Sequence, residues 1–234
     1  MEWTIGWWQI SVQRVYPTNA ELSRAYNRAA AWWHQHLSFL GYRYAYRNLW
    51  RSLHQGNIFP SLRGSLTVCD CGIGTAAFSL ALTESIGTNA HIVGIDLSAE
   101  MLQKADQWLT LARVDHHLCQ SDVRTLPFAG DFFDMAISAH MLEHLSNPTE
   151  GLQEIYRVLR PGAPLVLVIT RSGIVGSLIQ WHWGNSCFSP KELINLMAEA
   201  GFENLRIIPF PFGLARFTSF ACVGFRACKM AEDR

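Results

Sequence analysis

A glycine turn set between two different hydrophobic rhythms constrains this chain more than any other feature. Leu66-Thr67-Val68-Cys69 has the run of a short buried strand, Asp70-Cys71-Gly72-Ile73-Gly74-Thr75-Ala76 follows it, and helical spacing then extends from Ala76 to Ile86. The pattern recurs. His91 to Ile95 reads as a strand, and Ser98 with Glu100 reads as the cap and acidic first turn of a helix. Further strands fall at Asp115 to Gln120, Phe132 to Ser138 and Pro164 to Thr170. Helices fall at Pro148 to Leu159, ended by Pro161-Gly162, and after Ser189-Pro190. Strands at Asn204 to Ile208 and Thr218 to Phe225 have no helix-sized segment between them, which predicts an antiparallel edge closed by a tight turn. Strand–helix alternation predicts an α/β fold with a doubly wound, mostly parallel sheet and right-handed crossovers.

Composition narrows the class. The chain has 234 residues, 49% of them apolar and 16% charged, which excludes a disordered chain. Its formal net charge is zero, so nucleic acid is not expected as a partner. The N-terminus begins with Glu2 rather than a basic cluster, and no run of 18 uncharged apolar residues occurs, so neither a signal peptide nor a spanning helix is expected. Six cysteines in a chain this rich in core residues read as reduced thiols, and the expected setting is cytoplasmic.

Charge and aromatics divide the chain. Residues 1–65 hold seven Arg against two Glu, and six of the nine Trp lie in the first fifty residues. The expected organisation is an N-terminal aromatic, Arg-rich helical cap over 1–63 and a second unit over 64–234. Tyr26, Ala30, Trp33, Leu37 and Leu40 recur at helical steps, and a second helical run carries Tyr46, Trp50 and Leu53. Such a cap could pack on the sheet, close a substrate pocket, or lie on a membrane surface.

The loop itself argues about charge. Gly72-Ile73-Gly74-Thr75-Ala76-Ala77 satisfies the dinucleotide fingerprint. Yet Asp70 ends the strand and the loop has no Lys or Arg, so a pyrophosphate would meet a carboxylate without compensation. A ligand with an ammonium and a sulfonium suits the loop better, and S-adenosylmethionine has both. Asp70 then faces the ammonium. Asp96, at the end of the second strand, accepts from the ribose hydroxyls. Asp122 accepts from the adenine amine, and Leu97 and Met101 cover the adenine faces.

Five ordered segments carry a resemblance: VCDCGIGTA (68–76), HIVGIDLSAEML (91–102), SDVRTLPF (121–128), FFDMAISAHMLEHL (132–145) and RVLRPGAPLVLV (157–168). Together they resemble a class I S-adenosylmethionine-dependent methyltransferase, most similar to the ubiquinone/menaquinone-methyltransferase-like small-molecule branch. Ala76 stands where the family has a third glycine. The resemblance implies a Rossmann-like methyltransferase fold, with a seven-stranded sheet and an antiparallel last strand. It also implies that Asp70, Gly72 and Gly74 hold the methionine end. Asp96 takes the ribose, Asp122 and the Val123 backbone take the adenine, and Ser138 and Ala139 line the methionine end. Tyr26 lies where related enzymes close a helix over the cofactor.

His140-Met141-Leu142-Glu143-His144 has the spacing of an inverted zinc-protease motif, but its place after the fourth strand favours a pocket rim over a metal site, and no metal is expected. His144 and His140 are instead candidate general bases. Cys69 and Cys71 fall on one face of a buried strand and read as core. His34, His36, His116 and His117 read as surface or capping groups. The segment Ser172 to Cys187, rich in Gly, Ile and Trp, is a candidate second wall, and two aromatic segments meeting there imply an apolar or aromatic substrate. The expected activity is methyl transfer to an O, N or C nucleophile of a small, aromatic or amphipathic molecule. A catalytically silent methyltransferase-like subunit and a nicotinamide-dependent oxidoreductase are the competing readings.

Overall fold

A computed structural model describes residues 2–5, 8–11, 18–28, 41–59, 64–86, 90–173 and 186–228. The first eleven residues hold a feature absent from the expected helical cap. Strands β1 (Glu2–Ile5) and β2 (Trp8–Ser11) pair antiparallel, with Ile5 opposite Trp8. Alternating Trp and Ile on either side of Gly6-Trp7 is a hairpin pattern, and the aromatic content of the segment obscured it. Helix α1 is described over 19–28, so Ala30, Trp33, His34, His36, Leu37 and Leu40 lie outside the described residues.

Helix α2 (Tyr42–Gln55) buries Tyr42, Ala45, Tyr46, Leu49, Trp50 and Leu53, a stripe at three- and four-residue steps. Then come β3 (Leu66–Cys71), α3 (Ala77–Ile86), β4 (Ala90–Asp96), α4 (Ala99–Leu111), β5 (His116–Gln120), β6 (Met135–Ala139), α5 (Pro148–Val158) and β7 (Pro164–Thr170). Helix α6 (Pro190–Glu199), β8 (Phe202–Pro209), the short α7 (Ala215–Thr218) and β9 (Ser219–Arg226) complete the described order. The sheet runs β5-β4-β3-β6-β7-β9-β8. Pairs from β5 through β7 are parallel, and β9 is antiparallel to both β7 and β8.

This is the expected seven-stranded α/β sheet, with its last strand, β9, antiparallel and paired with β8 as the expected antiparallel edge. One detail differs: a nine-residue connection containing α7 stands in place of a tight turn. The sheet's period of two splits the core. Val68, Ile92, Met135, Ile137, Val166 and Val168 face α2, α3 and α4; Cys69, Val93, Ala136, Leu165 and Leu167 face α5 and α6. Cys69 and Cys71 are fully buried with their sulfurs 3.5 Å apart, as core packing allows, and none of the six cysteines is in a disulfide. No helix of the described residues is long and apolar enough to cross a membrane. Chain order reverses between β3 and β6, which opens a crevice beyond the carboxyl ends of the strands.

Candidate active site

The crevice is a cleft lined from the ends of β3, β4, β5 and β6 and from α1 and α2. Its floor is the glycine turn. Gly72 has φ +76, and a Cβ there would sit 2.5 Å from Met141 Cβ and Cγ, so the close pass of the two loops requires glycine. Gly74 has φ +52, and a Cβ there would meet nothing, so its backbone is open. Ala76, which stands where the family has a third glycine, adopts the left-handed conformation, φ +63, at a cost of about 1–2 kcal/mol.

Two carboxylates bracket this floor. Asp70 is buried, with its Oδ2 accepting from Ser79 Oγ at 2.5 Å. Burial pushes its carboxyl up to about 7, with the Ser79 hydrogen bond opposing and the neighbouring Asp96 adding to the rise. Asp96 Oδ1 accepts from Ser98 N at 2.9 Å and Oδ2 from Gly74 N at 2.9 Å, which ties the strand end to the glycine loop. Burial raises its carboxyl too, against the pull of these backbone hydrogen bonds. Ser98 caps α4 by accepting from Met101 N at 3.0 Å. Leu97 and Met101 line the apolar side of the cleft.

Asp122 and Val123 also line the cleft, but Asp122 is committed elsewhere. Arg124 forks onto both its oxygens, with a shortest contact of 2.6 Å, and Asn19 Nδ2 donates to Oδ2 at 2.7 Å. Burial would raise this carboxyl, but these donors hold it below the usual range. An adenine amine would have to compete with the guanidinium, and Val123 lies beside it in a single 3-10 turn. Ser138 is the one expected residue that does not reach the cleft: its Oγ is buried and donates to Cys71 O at 2.6 Å. Its neighbour Ala139 lines the cavity.

The roof is α1. Asn19 reaches Asp122, Ser23 Oγ donates to Leu97 O at 3.2 Å, and Asn27 Oδ1 accepts from Ser98 Oγ at 2.5 Å. Steps of three and four residues put these groups and Tyr26 along the helix side that faces the strand ends. The Tyr26 hydroxyl lies 2.6 Å from His144 Nε2, with the rings edge-on. Burial, together with the Glu143 and Asp96 carboxylates, holds the Tyr26 phenol well above its usual range. Sequence reasoning singled out Tyr26 but missed Asn19, Ser23 and Asn27. Their signal was three short polar side chains at i, i+4 and i+8, on the opposite side of the helix from Glu21, Arg24 and Arg28.

His140 sits at φ +58, directly after β6. Its Nδ1 lies 3.3 Å from Glu143 Oε1 and 3.1 Å from Thr170 Oγ1. Glu143 is fully buried and also accepts from Thr170 N. Burial would raise its carboxyl, but His140 foremost, then His144 and Thr170, hold it low. The His-x-x-Glu-His segment is therefore a 3-10 turn (Leu142–His144) with its acid turned inward between two imidazoles. Among the described residues no cluster of three or more ligating side chains is arranged to hold a metal. Residues 174–185 of the candidate second wall lie outside the described residues; Ser186 N, at its end, donates to Glu143 O at 2.7 Å.

The residues present fit S-adenosylmethionine: an open glycine backbone, a buried carboxylate without a nearby cation, a second carboxylate at the next strand end, and an apolar shelf between Leu97 and Met101. Residues 69–167 match the methyltransferase domain family. This match, the site and the relatives below support a class I S-adenosylmethionine-dependent methyltransferase of the small-molecule branch, with S-adenosylmethionine as cofactor.

Its relatives include a demethylmenaquinone methyltransferase of Lactiplantibacillus plantarum, 27% identical over 71% of this chain and 81% of that protein. A second demethylmenaquinone methyltransferase, from Desulfitobacterium hafniense, is 34% identical over 50% of this chain and 47% of its own length. A 2-methyl-6-phytyl-1,4-hydroquinone methyltransferase of Oryza sativa is 30% identical over 61% of this chain and 42% of its own. This chain thus spans less than half of the latter two proteins. In fold it is similar to a SAM-dependent methyltransferase from Aquifex aeolicus (TM-score 0.58, 20% identity, 71% and 85% covered). It is also similar to the [4+2]-cyclase SpnF (TM-score 0.74, 16% identity, 92% and 98% covered).

Proposed function

We propose that this enzyme methylates an O, N or C nucleophile of a small aromatic or amphipathic molecule, and that a quinol-type ring is the first acceptor class to test. The observation that carries the reading is the roofed, apolar-lined cleft, closed by Tyr26 on His144 beside the loop that suits the cofactor. The quinone substrates named for the relatives support the same class.

When bound, S-adenosylmethionine supplies a methyl group on a sulfonium, an electrophile that needs no protein nucleophile. The chain's task is to hold the two reactants in line and keep water out. Gly72 and Gly74 receive the methionine end by backbone, with Asp70 as counter-charge to the ammonium. Asp96 accepts from the ribose hydroxyls with the lone pairs left by Ser98 and Gly74. Leu97 and Met101 bracket the adenine, and the Val123 backbone reads its edge. Within the cap expected over 1–63, α1 serves as the lid, held over the cleft through Asn19, Ser23 and Asn27. His144, at the rim, takes the acceptor's proton where the nucleophile is a phenol or amine, with the buried Glu143 carboxylate stabilising the imidazolium that forms. The free thiols support a cytoplasmic setting.

Two measurements test this. Calorimetric titration with S-adenosylhomocysteine should show binding that Asp96→Ala weakens by about tenfold or more, since two charge-assisted hydrogen bonds are lost; unchanged affinity removes Asp96 from the ribose. Radiolabelled methyl transfer to a panel of quinols, phenols and amines should find an acceptor. With it, His144→Ala should lower turnover more than cofactor affinity, and full turnover in that variant would remove His144 as base.

A further inference from the structure

The connection between β8 and β9 exposes three large apolar side chains within six residues. Phe212 is 66% exposed, Leu214 56% and Phe217 69%, half of the exposed large hydrophobic residues among those described. They sit on a short turn, Gly213 with φ +78 followed by α7, which fans them outward in place of an apolar stripe against the sheet.

The charge around them has one sign. From Asn204 to Met230 the sequence contains no Asp or Glu, and Arg216 lies between Leu214 and Phe217. A second guanidinium, Arg171, is joined to the loop by its backbone N–H, which donates to Thr218 O at 2.8 Å. Its Nε is buried without a hydrogen-bond partner among the described residues, and its guanidinium lies 5.3 Å over the buried Phe220 ring, so Arg216 is the cation that stands among the exposed apolar side chains.

The patch also has a position. Thr170 at the end of β7 is opposite Ser219 at the start of β9, so the loop stands at the same end of the sheet as the cleft. Tyr42 bridges the two. Its hydroxyl is 2.8 Å from Thr218 Oγ1, and its ring meets His140, a cleft residue, edge-on at 5.6 Å.

We propose that this loop is a membrane-surface anchor, with Phe212, Leu214 and Phe217 inserting among acyl chains and Arg216 meeting anionic phospholipid headgroups. Charge complementarity selects the occupant: apolar tips flanked by a cation with no acid suit an anionic bilayer, whereas an acidic bilayer-facing rim would repel it. The anchor places the cleft mouth against the bilayer, so an amphipathic acceptor can pass to the site with its apolar tail never crossing water. That purpose rests on the acceptor class proposed above, but the binding itself does not.

The test is co-sedimentation of the full chain with vesicles of phosphatidylglycerol mixed with phosphatidylcholine, beside vesicles of phosphatidylcholine alone. The anionic vesicles should retain the protein. The triple variant Phe212→Ser, Leu214→Ser, Phe217→Ser should bind them about tenfold more weakly or worse, and Arg216→Ala should lose the preference for anionic lipid. Both variants should keep the thermal shift with S-adenosylhomocysteine, which separates loss of anchoring from loss of fold or of cofactor binding. Absence of vesicle binding by the unaltered protein, or equal binding by the triple variant, overturns the proposal. So does conversion of an oligomer to a monomer by the triple variant, since the patch would then be a self-association face. Failure to find a methyl acceptor leaves these readouts unaffected.

Discussion

Asp70 lies at the end of a buried strand with one hydroxyl partner and no cation, and its protonation follows from that placement. Its folded value near 7 lies above the ordinary 3.8, so between these limits the folded state keeps a proton that the unfolded chain has released. Stability without ligand is therefore greatest below pH 3.8 for this group and declines as pH climbs towards 7, by at most about 4 kcal/mol at 1.36 per unit. A bound ammonium reverses the preference, so cofactor binding should release a proton and tighten over the same range. Urea unfolding of Asp70→Asn between about pH 5 and about pH 8 should show a flatter stability profile than the parent chain. The variant should also bind S-adenosylhomocysteine more weakly, and an unaltered slope would show that Asp70 does not titrate there. The same scale shows what sequence position leaves out: Asp122 lines the cleft, and Arg124, two residues on, and Asn19, 103 residues away, also bond its oxygens.

Elements were legible where local signals agree with one another. Helix α6 has Ser189 accepting from Glu192 N at 3.2 Å and Glu192 Oε2 accepting from Ser189 N at 2.7 Å, with Pro190 as the first helical residue. Cap, proline and acid all stand in four consecutive residues, so the start could be read without tertiary information. Ser189→Ala should cost about 1 kcal/mol, seen as a fall of about 2–4 °C in Tm; no change would mean that packing of Leu193 and Met197 alone sets the helix. The hairpin β1–β2, the 3-10 turn at His144 and the inward course of β9 were not legible. A short aromatic run suits strand or helix equally, and which strand lies between which others is a matter of distant pairing.

Across the whole molecule, the division near Gly64 marks a change of composition that the packing does not follow. Trp50 and Tyr46 of α2 stack on Phe78 of α3 at 4.9 and 5.0 Å, and both helices share one apolar cluster with the sheet. Trp50→Ala should cost about 3–5 kcal/mol and lower the single unfolding transition of the entire chain; a separate early transition confined to the N-terminal part would show that 1–63 folds as a distinct cap. The sequence by itself determined the strand–helix alternation, the glycine turn, the carboxylates at successive strand ends and hence the cofactor class, because these depend on periodicity and on chemistry within a few residues. Only the tertiary structure decided that Ser138 spends its hydroxyl on Cys71, that Asp122 is bound by Arg124 and that Tyr26 meets His144. It also decided that Phe212, Leu214 and Phe217 stand free beside the cleft. Each of these is an encounter or an exposure set by how distant segments fold together, and no local pattern records which distant partner a side chain will find.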